Sequence, residues 1–265
     1  MTRPVAIRLP RRTAVSLTLA TFVGVVAFLW PFVVVPGTFG NTYAPMLIFG
    51  VLLVLVVAVV FADIADGGID AKAVALLGVL SAIIAALRPL GAGTAGIELV
   101  FFVIVLAGRV FGPGFGFALG CTSLFASALL TGGVGPWVPY QMFGAAWIGL
   151  VAGLLPRARG RVEVVMLAAY GALAGYVFGF MSNLSFWPFS LDPGSSIAYH
   201  PGASFADQWH RYLVFDATTS LGWDTGRAVT NFVLILLVGP AALATLRRAA
   251  RRAAFAAPVV FEAAR

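Results

Sequence analysis

Charge is what this sequence has least of. Only 10% of its 265 residues are Asp, Glu, Lys or Arg, against about 25% in an ordinary soluble domain. So few ionic groups cannot keep a surface of that size in water, which excludes a soluble globular enzyme. Acids are scarcer than bases, 10 against 17. There is one cysteine, Cys121, set in an apolar run. That excludes a disulfide framework and any CxxC redox or zinc site. The two histidines, His200 and His210, have no ligand spacing and no carboxylate cluster to complete a site, so no metal is expected. No GxxxxGK[ST] or GxSxG motif occurs, so the chain carries no phosphate-binding loop or nucleophile elbow of its own.

What is abundant is apolar length. Hydrophobic residues make up 61% of the chain, and its mean hydropathy is +1.00. Eight segments reach bilayer-spanning length, approximately 13–35, 43–62, 71–88, 96–110, 114–132, 138–156, 163–182 and 212–246. The fold class they predict is all-α, a polytopic membrane bundle of about eight transmembrane helices. Arg3, Arg8, Arg11 and Arg12 precede the first run, which is too long for a signal-peptide core and lacks a small-residue cleavage site. It is read as a retained helix.

The net charge of +7 does not describe a nucleic-acid face, because the basic residues sit at helix ends. With both termini in the cytoplasm, fourteen of the seventeen Lys and Arg fall inside, and only Arg88, Arg211 and Arg227 fall outside or in the outer half. That is a strong positive-inside bias. It predicts a multi-pass protein of a cell membrane, with the lipid bilayer as its first partner.

Polar residues at membrane depth are the candidate functional groups, since lipid would leave them unpaired. Asp216, Ser220, Asp224, Arg227 and Asn231 fall within about 80° of one another if the eighth segment is one helix. Arg88 and Glu98 bracket a loop with three glycines and a proline. Trp137, Tyr140 and Gln141 follow Thr131-Gly-Gly-Val-Gly-Pro at the outer mouth of the sixth segment. An aromatic outer loop from about 182 to 211 contains Trp187. Together these describe an outer pocket with few polar and many apolar groups. The catalytic alternative is a membrane enzyme acting on a lipid-linked substrate through Asp63, Asp66 and Asp70. The Gly67-Gly68 break argues for a solvated turn there instead.

Three stretches carry a family resemblance. They are Ala85-Ala86-Leu87-Arg88-Pro89, Ala107-Gly108-Arg109-Val110-Phe111-Gly112-Pro113-Gly114, and Thr131-Gly132-Gly133-Val134-Gly135-Pro136-Trp137 with Gln141. With the end from Asn231 to Arg248, they make residues 71–252 resemble the substrate-binding S component of energy-coupling factor (ECF) vitamin transporters. The resemblance implies a six-helix substrate-binding core at 67–252, a two-helix addition at 1–66 and a cytoplasmic tail at 253–265. It implies a subunit without catalysis or resident cofactor that binds a vitamin outside the cell. That subunit works with a transmembrane T component and two cytoplasmic ABC ATPases, in a plasma membrane of bacterial type. The family's small-residue partner face falls on Ala71, Ala75, Gly78, Ala82 and Ala86, which share one side of the third segment. The chain most resembles S components assigned to cobalamin or related corrinoids; riboflavin, pantothenate, thiamine precursors and a queuosine precursor stay open.

Overall fold

The structure is a computed structural model. It describes residues 7, 10–34, 43–66, 71–91, 94–192 and 194–253. Asp70, the side chains of Asp63 and Asp66, and all but the first residue of the expected tail lie outside what is described.

The described residues form eleven α-helices and one short 3-10 turn. They are α1 (Arg11–Phe28), α2 (Trp30–Val33), α3 (Ala44–Asp66), α4 (Ala71–Gly91), α5 (Phe101–Phe111) and α6 (Pro113–Thr131). After them come α7 (Val138–Leu154), α8 (Gly160–Phe186), α9 (Phe205–Thr219), α10 (Leu221–Leu237) and α11 (Gly239–Ala253). All eight predicted segments are thus occupied by helix. Five helices are long and apolar enough to cross a membrane, or six if the bent pair α10–α11 is one span. The helices α5 and α7 are apolar but shorter.

The first seven segments each hold one principal helix, but the eighth does not. The stretch 212–246 breaks at Ser220 and again at Val238, and α11 leaves α10 at 66°. The first break moves Asp216 onto a helix different from that of Asp224. The second falls before Gly239-Pro240, a pair that cannot continue the amide ladder of α10. The outer aromatic loop is also shorter than expected, because α8 runs on to Phe186 and α9 begins at Phe205.

Side-chain pairings fix how the helices alternate. Arg88 near the end of α4 meets Gln141 at the start of α7. Arg109 at the end of α5 meets Glu163 at the start of α8. Tyr140 donates to the Met46 carbonyl at the start of α3 at 3.0 Å. The bundle therefore has one end rich in arginine and an opposite end holding most of the candidate site.

Small residues let the central helices touch backbone to backbone. A methyl group added at Gly108, Gly116, Gly120 or Gly149 would overlap the main chain of the neighbouring helix. Close approach of this kind replaces the hydrophobic drive that lipid does not supply. Around these contacts lies a core containing Phe101, Ile104, Phe111, Leu119 and Phe178. The first two long helices pack outside it, through Phe28, Trp30, Leu53 and Phe143.

Helix α5 has 11 residues, which at 1.5 Å per residue span about 16 Å of a hydrocarbon core about 30 Å thick. It ends at Gly112, which turns the chain straight into α6 with φ of 107°. The shortfall therefore falls at the opposite end, on the irregular stretch 94–100. Non-helical backbone at membrane depth survives only when protein covers it or it lines a wet cavity. That constraint makes 94–100 part of the site rather than a plain connector.

Candidate functional site

The site is assembled from helix ends around that stretch. Arg88 sits in the last turn of α4, where cations suit the carbonyl end of a helix. Its Nη2 donates to Gln141 Oε1 at 3.0 Å. Glu98, on the irregular stretch, lies within electrostatic reach of Arg88 and Arg227. Arg227 forms an ion pair with Asp224 one turn before it on α10. Its guanidinium lies 5.6 Å from the centre of the Phe178 ring. The site thus holds two bonded pairs, Arg88 with Gln141 and Arg227 with Asp224, with Glu98 within electrostatic reach of both arginines.

The loop reaches α10 through glycine. Gly96 adopts φ of +77°, and a side chain there would overlap the Trp223 carbonyl. A methyl at Gly226 would overlap the Ala95 carbonyl. Glycine at both points lets two backbones meet without side chains between them.

Asn231 is completely buried. Its Nδ2 donates to the Arg227 carbonyl at 2.8 Å, but its Oδ1 has no partner, and neither has Arg227 Nε. A buried donor and a buried acceptor, one helical turn apart, are both unsatisfied. Each such group costs roughly 1–3 kcal/mol, so the arrangement favours anything that brings a complementary group.

Asn183 completes a second cluster that the sequence reading did not include. It sits near the end of α8 and donates to Asp216 Oδ1 at 2.8 Å and to the Ser220 hydroxyl. A lone amide in the otherwise apolar run Gly179-Phe-Met-Ser-Asn-Leu was the available signal. The stripe predicted on one helix thus exists in another form. Asp216 lies on α9 and Ser220 at the break before α10, and Asn183 ties both to α8. A cleft of about 240 Å³ opens here, lined by Tyr176, Val177, Phe180, Asp216, Leu221 and Asp224.

Three named aromatic residues lie apart from the clusters. Tyr140 is buried against Phe28, 5.2 Å between ring centres, and its hydroxyl is bound to Met46. Trp187 is buried in an aromatic group with Tyr199, Tyr212 and Phe215, its indole donating to the Ile197 carbonyl at 3.0 Å. Trp137 is 45% exposed and donates to the Gly133 carbonyl within its own turn at 3.2 Å. Among the described residues no group of three His, Cys, Asp or Glu could hold a metal ion.

The small-residue side of α4 faces away from the bundle. Ala71, Ala75, Gly78, Ala82 and Ala86 are all exposed. A methyl added at Gly78 would meet nothing within 4 Å.

Fold and site together define a multi-pass helical membrane protein with a polar cluster at one end of the bundle. A family model described as "ECF transporter, substrate-specific component" matches residues 72–238. The match covers more than half of the chain, and the chain belongs to that family. No curated protein and no solved structure matches it.

Proposed function

We propose that this chain captures a vitamin at the end opposite its arginine-rich one and delivers it to an ECF-type ABC importer. The positive-inside bias turns that end outward. Energy then comes from outside the chain, from a transmembrane T component and two cytoplasmic ATPases, in the plasma membrane of a bacterium. The chain itself does no chemistry on the cargo. The exposed side of α4 supports a helix-to-helix contact with the T component, because five small residues there let another backbone approach.

The observation that carries the reading is the unsatisfied pair beside the polar cluster, Arg227 Nε and Asn231 Oδ1. A cargo with an amide or hydroxyl edge would satisfy both, as would an ordered water that the cargo displaces. The cleft of about 240 Å³ is smaller than the roughly 300–1,000 Å³ of sites for drug-sized ligands. Capture of a vitamin-sized cargo therefore needs this cleft, between α8, α9 and α10, to widen.

Cobalamin or a related corrinoid is the cargo we place first, on the family resemblance of the motifs. The first experiment is mass spectrometry of the small molecule that co-purifies with the protein in detergent. A stoichiometric corrinoid would establish class and cargo together. Riboflavin or pantothenate would keep the transporter and replace the cargo. No ligand, with no thermal shift across a panel of vitamins, would overturn the capture reading.

A further inference from the structure

We propose that the outward face of α11 is a docking surface for the headgroups of anionic phospholipids. Helix α11 is amphipathic and cannot itself span, with four arginines in 15 residues. Its apolar side is already occupied. Leu243 is buried, and Ala242, Leu246 and Ala250 pack on the central core. Arg247 is also occupied, since its Nη2 donates to Glu163 at 2.7 Å.

Arg248, Arg251 and Arg252 are different. They project within about 100° of one another on the side opposite Leu243, and all three are exposed. Among the described residues no carboxylate lies within ion-pair distance of any of them. Among the described side chains Glu163 is the acid of the arginine-rich end, and it is already held by two other arginines.

The outward face also changes along its length. It begins with Ala241 and Ala244, small and apolar, and ends with the three arginines. The 66° bend turns the helix away from the axis of α10, and with α10 crossing the bilayer it would lay α11 toward the membrane plane. A helix leaving the acyl region obliquely would pass first apolar and then cationic groups through the interface, in this order. Three clustered cations favour a net-anionic headgroup over a zwitterionic one, whose phosphate is already balanced by its own ammonium.

The test uses the full chain in mild detergent and counts retained lipid by native mass spectrometry. Phosphatidylglycerol is compared with phosphatidylcholine. The wild type is expected to retain phosphatidylglycerol selectively, and less of it as salt rises. The variant R248Q/R251Q/R252Q should bind it about a hundredfold more weakly. R248K/R251K/R252K should keep most of the binding and serves as the folding control. Equal retention of the two lipids, or salt-independent retention, would overturn the proposal with the wild type alone. Undiminished phosphatidylglycerol binding in the Gln variant would overturn it too. If that variant keeps the lipid but fails to assemble with a T component and ATPases, the face takes an acidic protein surface and the lipid reading falls.

Discussion

The two ends of this bundle both hold buried polar groups and treat them in opposite ways. At the arginine-rich end, Glu163 accepts from Arg109 at 2.8 Å and Arg247 at 2.7 Å, and Arg109 also donates to the Leu155 carbonyl at 2.9 Å. No atom of this triad is among the buried polar atoms left unpartnered. It ties α5, α8 and α11 together and asks for nothing more. Toward the opposite end, Arg227 and Asn231 keep an unsatisfied donor and acceptor, and the irregular stretch 94–100 meets α10 just before them, at Trp223 and Gly226. A saturated network stabilises a fold; an unsaturated one spends stability that a ligand can return.

Substitutions can break this contrast, the largest effect coming first. Glu163→Ala leaves two arginines facing each other without a counter-charge. It should lower stability by about 3–5 kcal/mol, measured by thermal unfolding in detergent, with cargo affinity unchanged in the protein that remains folded. Equal stability would mean that the triad is not structural. Gly226→Val drives a side chain into the Ala95 carbonyl. Overpacking of this kind costs about 1–3 kcal/mol, and hydrogen exchange should rise at 94–98 while the arginine-rich end stays protected.

Two milder changes sharpen the contrast. Tyr140→Phe removes the donor to Met46 and should cost about 1 kcal/mol without altering cargo affinity. A large affinity loss would bring Tyr140 into the site. Asn231→Leu should be the mildest for the fold. It replaces a buried amide whose oxygen is unsatisfied by an apolar group of similar size, so the melting temperature should hold or rise. Cargo affinity, followed by titration calorimetry, should nonetheless fall at least tenfold, the equivalent of about 1.4 kcal/mol. A destabilised Asn231→Leu with normal affinity would make the residue structural and reverse the comparison.

Much of this was legible in the sequence because it is local. Helix positions follow from apolar length, which a window along the chain measures directly. That Arg88, Glu98 and Gln141 would gather at one end could be suspected because each sits beside a glycine-rich turn. The breaks in the last segment were less legible. Ser220 is an ordinary residue in a spanning pattern, and the bonds that tie the turn there to α8 come from Asn183, far back in the chain. Glu163 escaped notice because a carboxylate in an arginine-rich segment is expected in water. Its burial depends on Arg109 and Arg247, from helices far away in the chain.

The sequence by itself determined that the chain crosses a membrane repeatedly, which end carries the positive charge and which polar residues lie at depth. Each of these is a sum over neighbours in the chain, and hydration energy is nearly additive over such a window. Tertiary structure decided which polar groups found partners and which were left wanting one. That depends on the register between helices more than a hundred residues apart and on a loop that reaches α10 only where glycine clears its path. A hydrogen bond is lost within an ångström of misplacement, and no property of the linear sequence carries distance to that accuracy.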